Sequence, residues 1–189
     1  MTETPPGARD RMIAGAVRLL ATRGLQATSF SEVIAATGAP RGSIYHHFPD
    51  GKDQLVASAV ALAGQRALDA LESVRGSSAV EVAELFLRLW RALVVGSEFT
   101  AGCSVLAVTV ATDDAPLLEA TAGVFRAWRG RLAELLEAGG VSPDDAPRLA
   151  ALLVAGSEGA VVMARAEQDV APFDLVADQL RDEVRRAAV

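Results

Sequence analysis

The feature that most constrains this chain is the stretch from Ser29 to Lys52, which has the pattern of two short helices joined by a glycine turn. Ser29 and Glu32 have the spacing of a capping box, so we expect the first helix to begin at Phe30. Gly38 follows the last helical position, where glycine tolerates the positive φ that ends many helices. This arrangement is typical of a helix-turn-helix.

The second helix of the pair has two chemically different faces. It is expected to begin near Pro40, because proline suits a first helical turn. Ile44 and Phe48 are one turn apart and are expected to face inward, whereas the polar and aromatic side chains between Arg41 and His47 face outward. This division suits a helix that lies in the major groove of DNA, with one face packed on the protein.

The run Gly38-Ala-Pro-Arg-Gly-Ser-Ile-Tyr-His-His-Phe48, followed by Lys52 and Leu55, resembles the TetR family of one-component regulators. The junction Phe48-Pro-Asp-Gly-Lys52 is similar to the LmrA/YxaF-like branch of that family. Ile34 departs from the pattern, since the family more often has alanine there, and implies slightly different packing of the two helices. The resemblance implies an all-α fold with an N-terminal three-helix head and a helical body that binds a ligand and dimerises.

Apolar periodicity and capping signals along the rest of the chain also predict about nine helices. The segment 100–111 fits a buried strand or a buried helix, and we interpret it as a helix because no second strand candidate exists. We expect a disordered arm at 1–8, a helix-turn-helix domain at 9–50 and a ligand-binding and dimerisation domain at 51–189. The helices are expected to begin near residues 9, 30, 40, 51, 79, 100, 114, 143 and 172.

The net charge of −6 argues at first against nucleic acid as a partner, but its distribution does not. Residues 1–48 hold five arginines against three acids, a balance of +2 that leaves −8 for the rest of the chain. Attraction to phosphate acts locally, within a screening length of ~10 Å. A mildly basic head on an acidic body is therefore compatible with DNA binding.

Several classes of protein are disfavoured by the composition. Cys103 is the only cysteine, which excludes an internal disulfide and agrees with a reducing compartment. The N-terminus lacks the pattern of a signal peptide, and glycines or charges interrupt every apolar run before it reaches the length of a membrane span. The two histidines are adjacent and no catalytic constellation is visible, so we expect a cytoplasmic protein that is no enzyme, contacts no membrane and has no metal or cofactor.

The DNA-reading residues are expected on the outer face of the head. Arg41 has the geometry to donate two hydrogen bonds to guanine O6 and N7, and Gly42 lets the backbone approach DNA closely. Phosphate contacts are expected from Ser43, Tyr45 and Lys52. The alternative is an ordinary helical hairpin with polar outer residues. The full set is Ser29, Ser31, Arg41, Gly42, Ser43, Tyr45, His46, His47 and Lys52.

The resemblance also implies a cavity in the body for a small hydrophobic effector. Its candidate lining residues are aromatic or polar. For the aromatic residues, the simpler interpretation is that they pack in the core. For the cysteine, the simpler interpretation is a buried, unreactive side chain. The carboxylate among them either faces the cavity or lies at an exposed helix edge. The candidates are Phe86, Trp90, Phe99, Cys103, Phe125, Trp128 and Glu158.

The last two helices, about 143–188, are expected to form a homodimer, with packing inside one chain as the alternative. Small residues at Gly156, Gly159 and Ala160 favour close helix approach. Together with the resemblance, this implies a homodimeric repressor that a small hydrophobic ligand releases from a palindromic, double-stranded DNA operator. A ligand-independent DNA-binding regulator of the same fold, with a filled core, is the alternative.

Overall fold

The computed structural model describes residues 7–188, and the part that it describes is folded into nine helices. The predicted all-α fold is confirmed. The arm predicted at 1–8 falls largely on residues 1–6, which lie outside the described residues, and the first helix already begins at Ala8. The helices are α1 (Ala8–Arg23), α2 (Phe30–Thr37), α3 (Arg41–His47), α4 (Lys52–Glu72), α5 (Ala79–Gly96), α6 (Ser104–Thr109), α7 (Ala115–Ala138), α8 (Ala146–Glu167) and α9 (Ala171–Ala187).

The chain forms two compact units that share two of its long helices. The first unit extends to Ala63 and also contains Ser104–Ala122, whereas the second consists of Gly64–Cys103 and the chain from Gly123 onward. Both α4 and α7 therefore contribute to each unit. The domain boundary that the sequence suggested at residue 50 stays a prediction.

The core of the first unit is formed by α1 packed against α2, α3 and α6. Gly15 allows α1 to approach α2 closely, because a Cβ there would lie 2.4 Å from Cγ2 of Thr37. Each fully buried valine, leucine, isoleucine or methionine side chain contributes roughly 1.5–3 kcal/mol to folding. The fully buried set includes Met12, Ala16, Leu20, Val33, Ile44 and Leu55.

The glycine turn between α2 and α3 forms as expected, and two local details differ. Gly38 is left-handed with φ 66°, which confirms its predicted role as the end of α2. The Ser29 hydroxyl accepts from the backbone N–H of Glu32 at 3.3 Å, but the Glu32 carboxylate pairs with Arg23 at 2.8 Å. Only half of the predicted capping box is therefore present. Pro40 is the N-cap of α3 and not its first helical residue.

In the second unit, α5 packs against α8 and α9, and its start is fixed by a complete capping box. The Ser78 hydroxyl accepts from the N–H of Glu81, and the Glu81 carboxylate accepts from the N–H of Ser78 at 2.9 Å, as predicted. The end of α7 lies against this start. The N–H of Ala79 donates to the carbonyl of Gly139 at 3.0 Å, and a Cβ on Gly139 would lie 2.4 Å from the same nitrogen.

Helix α8 begins later than expected and is more apolar than expected. A turn at 142–145, in which the Ser142 hydroxyl accepts from the N–H of Asp145 at 3.2 Å, precedes its first residue, Ala146. By length and composition α8 could span a membrane, with a mean hydropathy of 1.5, although half of that window is buried in the protein. The expectation that no segment would qualify was wrong, because Glu158 and the glycines interrupt the apolar run without lowering its average enough.

Candidate nucleic-acid interface

The two faces of α3 are divided as the sequence predicted. Ile44 is fully buried and Phe48, which caps the helix, is 1% exposed. Arg41, Gly42 and His46 are exposed, Ser43 and His47 are partly buried, and the Tyr45 side chain is 67% exposed. The outer face thus offers a guanidinium, imidazoles, hydroxyls and an accessible stretch of backbone, which are the groups that contact bases and phosphates.

Aromatic contacts hold this face in position. The Tyr45 ring meets the Phe30 ring edge-on at 5.5 Å, and Phe30 also lies 6.5 Å from Phe48. The guanidinium of Arg9 lies over the Phe48 ring at 5.5 Å, a cation–π contact that ties α1 to the end of α3. The contact with Phe30 therefore fixes the orientation of the Tyr45 ring, while the side chain stays 67% exposed to solvent. This arrangement suits a phosphate contact through the hydroxyl.

Gly42 has no structural reason, inside the protein, to be glycine. It is an exposed helical residue without a positive φ, and a Cβ built on it would meet nothing within 4 Å. Glycine in a helix costs roughly 0.5–1 kcal/mol relative to alanine. The chain itself therefore does not require glycine here, and the backbone of α3 is accessible from outside at this position.

Lys52, which is expected to contact a phosphate, also has a partner within the chain. Its ammonium donates to the backbone carbonyl of Leu25 at 2.9 Å, which joins the first residue of α4 to the loop that follows α1. Lysine has three donors, so two N–H groups remain for other partners. Ser29 likewise has a local role as the N-cap of α2, and its hydroxyl lies 2.8 Å from that of Ser31.

Four of the predicted pocket aromatics form one continuous cluster in the second unit. Phe86 meets Trp90, Trp90 meets Trp128 and Trp128 meets Phe125, all edge-on with ring centroids 5.7–6.2 Å apart. The indole N–H of Trp128 donates to the carbonyl of Gly64 at 3.0 Å. These contacts match the core-packing alternative more closely than an open pocket lining. Phe99 lies outside the cluster, partly buried, with a left-handed φ of 61°.

The remaining two pocket candidates, Cys103 and Glu158, come together. Both are 7% exposed, so the sequence alternative of an exposed carboxylate is excluded. Burial raises the pKa of Glu158 from 4.5 to about 7, and a weak hydrogen bond from the Cys103 thiol opposes that rise. A carboxyl group in this state is divided between its neutral and charged forms near neutral pH.

A surface cleft of about 400 Å³ also lies in the second unit, between α4 and α7. Arg131 crosses it and pairs with Glu72 at 2.6 Å and with Glu134 at 2.8 Å. None of the seven predicted pocket residues lines this cleft. The third carboxylate of the cleft, that of Asp69, accepts from the Gln65 amide at 2.7 Å, so the charged groups of the cleft have partners within it.

Two structurally important residues went unnoticed in the sequence. Gly64 interrupts the helix-forming run of α4, and a Cβ on it would lie 2.9 Å from Val124. A lone glycine inside a helical pattern usually has a packing reason, and this signal was available. Gln26, whose amide donates to the carbonyl of Ala111 at 3.4 Å, had no such signal because its partner is distant in sequence.

The chain matches two family models and several known proteins along most of its length. Residues 12–59 match the model of bacterial regulatory proteins of the tetR family, and residues 79–179 match the C-terminal domain of LmrA/YxaF-like transcriptional regulators. An uncharacterized HTH-type transcriptional regulator of Mycobacterium tuberculosis is 37% identical over 183 residues, covering 93% of each chain. The HTH-type regulator YxaF of Bacillus subtilis is 29% identical and covers 94% of this chain and 95% of its own.

Solved structures agree with these sequence matches. A TetR transcriptional regulator from Chloroflexus aurantiacus superposes with a TM-score of 0.78 at 29% identity, and the match covers 94% of both chains. The regulatory protein TetR from Rhodobacter sphaeroides has the same fold, with a TM-score of 0.82 over 93% of this chain and 97% of its own at 23% identity. The chain belongs to the TetR family of helix-turn-helix transcriptional regulators, in its LmrA/YxaF-like branch.

Proposed function

We propose that this regulator is a cytoplasmic homodimeric repressor that binds a palindromic operator through α3 and leaves it when a small, mainly apolar ligand binds to the body, residues 51–189. The single observation that carries the DNA-binding part is the outer face of α3, where Arg41 and Gly42 are exposed and Tyr45 is 67% exposed, opposite the buried Ile44. The outward guanidinium of Arg41 supports the same interpretation.

Within this interface the residues have different tasks. Arg41 reads a guanine, whereas Tyr45 and Ser43 contact phosphates and fix the register of α3 on the duplex. Lys52 uses one N–H group to bind the Leu25 carbonyl and contacts a phosphate through its other two. Ser29, Ser31, His46 and His47 complete the proposed surface. None of these roles requires a cofactor or a metal ion.

An exposed apolar stripe on α8 supports dimerisation through the last two helices. Leu152, Val162 and Met163 are 46%, 53% and 42% exposed, although large apolar side chains are usually buried. Gly156 and Ala160 face the interior: a Cβ on Gly156 would lie 3.1 Å from Leu180, and Ala160 is 1% exposed. Of the three small residues noted in the sequence, Gly159 alone is exposed. The stripe consists of Leu152, Ala155, Gly159, Val162, Met163 and Ala166.

A second copy on a twofold axis would cover this stripe and place two α3 helices on one operator. Half-sites would then be about one helical turn of DNA apart, ~34 Å. A ligand that binds more tightly to a conformation with a different α3 spacing would release the operator. It can shift the equilibrium only by its difference in affinity for the two states.

A ligand-independent regulator is the second candidate. The mutual packing of Phe86, Trp90, Phe125 and Trp128 favours it, because these rings already contact one another. The buried carboxyl of Glu158, with no hydrogen-bond partner of normal geometry among residues 7–188, favours a ligand. We therefore prefer the ligand-responsive mechanism.

The proposal is tested by selecting operators from random DNA with the purified protein and then measuring the affinity of variants for single-base changes. Arg41→Ala should lose discrimination at one base pair of each half-site, worth about 1–3 kcal/mol. Lys52→Ala should weaken binding to all sequences alike and reduce the salt dependence, since it removes one phosphate contact. If the two variants respond identically to every base change, the proposed division of roles is wrong.

A further inference from the structure

The second unit contains a buried carboxyl group that its own surroundings leave unsatisfied. Glu158 lies within α8 and is 7% exposed, and neither carboxylate oxygen has a hydrogen-bond partner of normal geometry in the described part of the chain. The hydroxyl of the adjacent Ser157, fully buried, also lacks one there. Buried polar groups are nearly always hydrogen-bonded, so two consecutive exceptions require an explanation.

The charge of Glu158 is not compensated by a cation among residues 7–188. The pKa of Glu158 responds to burial and to the Cys103 thiol, without any contribution from a positive charge. The site therefore holds an acceptor with two oxygens, one weak donor and no counter-charge.

Holding such a group in place costs free energy. A buried carboxyl without partners destabilises the fold relative to an apolar side chain of the same size. Polar groups of this kind are retained where something else completes their hydrogen bonds. A positively charged group with at least two donors would satisfy both oxygens and supply the absent counter-charge.

We propose that Glu158 anchors the effector and that the effector is a small molecule with a protonated nitrogen on an apolar body. This inference rests on the proposed function, in which the body binds a ligand. An ammonium or guanidinium group supplies donors to both oxygens and the absent positive charge. A neutral alcohol offers one donor and no charge, and an anion is repelled. The Cys103 thiol, which hydrogen-bonds weakly to Glu158, adds a polar contact.

The test uses the full-length protein and three probes that share one apolar body: phenylbutylamine, phenylbutanol and phenylbutyrate. Affinities are measured by isothermal titration calorimetry for the wild type, Glu158→Gln and the control Glu167→Gln, an exposed residue of the same helix. We expect the amine to bind the wild type and the control roughly 30-fold more tightly than the alcohol does. In Glu158→Gln this preference should disappear, while the affinity for the alcohol stays within about twofold.

Three results would overturn the proposal: equal binding of amine and alcohol by the wild type, an amine preference that survives in Glu158→Gln, or no binding of the amine. The same samples are assayed for operator binding, which separates the two proposals. Operator binding without amine binding refutes the amine site alone. Amine binding through Glu158 without operator binding refutes the proposed regulator and leaves the site established.

Discussion

Replacing Gly42 with alanine should stabilise the protein and weaken its binding to DNA. A Cβ at this exposed position in α3 meets nothing within 4 Å, so the chain itself loses nothing. The gain from replacing a helical glycine is roughly 0.5–1 kcal/mol in the free energy of unfolding. The opposite effect on DNA follows if the backbone of α3 lies directly against the operator.

The expected loss of affinity can be estimated from packing. A methyl group forced into a close-packed interface costs ~1–3 kcal/mol. That cost corresponds to roughly 5- to 150-fold weaker operator binding. Gly130→Ala provides a matched control, because Gly130 is also exposed and helical, and a Cβ on it also meets nothing within 4 Å.

The assay pairs urea unfolding with fluorescence anisotropy on a selected operator at one fixed salt concentration. Both variants should unfold at higher urea than the wild type, and only Gly42→Ala should bind the operator more weakly. Equal operator affinities for the two variants would refute the close approach of α3 to DNA. A loss of stability in Gly42→Ala would refute the claim that the chain itself has no need of this glycine.

Three further predictions concern the rest of the chain. Gly139→Ala should lower the free energy of unfolding, measured with urea, by about 1–3 kcal/mol or more. The reason is that its Cβ would lie 2.4 Å from the backbone nitrogen of Ala79, and the backbone cannot move aside cheaply. A change as small as that in Gly130→Ala would contradict this. The raised pKa of Glu158 means that, between pH 4.5 and about 7, the folded chain keeps a proton that the unfolded chain has released. The free energy of unfolding of the wild type should therefore fall as the pH rises through that window. Relative to Glu158→Gln the fall should be on the order of 3 kcal/mol, and parallel pH profiles would contradict it. Met163→Glu should give monomers in light scattering at micromolar concentration, whereas Val110→Glu, at an exposed apolar residue elsewhere, should stay dimeric.

Much of the fold was predictable because its signals are local. The αL glycine at Gly38, the capping box from Ser78 to Glu81 and the inward pair of Ile44 and Phe48 all depend on residues within a few positions of one another. The outer face of α3 follows from the same periodicity. Such features depend on neighbouring residues and on no distant contact, so they can be predicted from the sequence alone.

Contacts between distant residues could not be predicted. Lys52 binds the carbonyl of Leu25, and Glu32 binds Arg23 instead of completing its capping box, because tertiary packing offered each a better partner. The contacts among Phe86, Trp90, Trp128 and Phe125 also join helices that are distant in sequence, so periodicity alone could not predict them. That Cys103 and Glu158 meet, although they are far apart in sequence, is visible only in three dimensions.

The most direct test of operator binding by a homodimer is a footprint of the wild-type protein on operator DNA selected from random sequence, combined with the stoichiometry of the complex by native mass spectrometry. We expect protection of two inverted half-sites about one helical turn apart and an even number of chains per palindrome. Protection that lacks sequence preference, or a single chain bound to a single half-site at saturation, would contradict it.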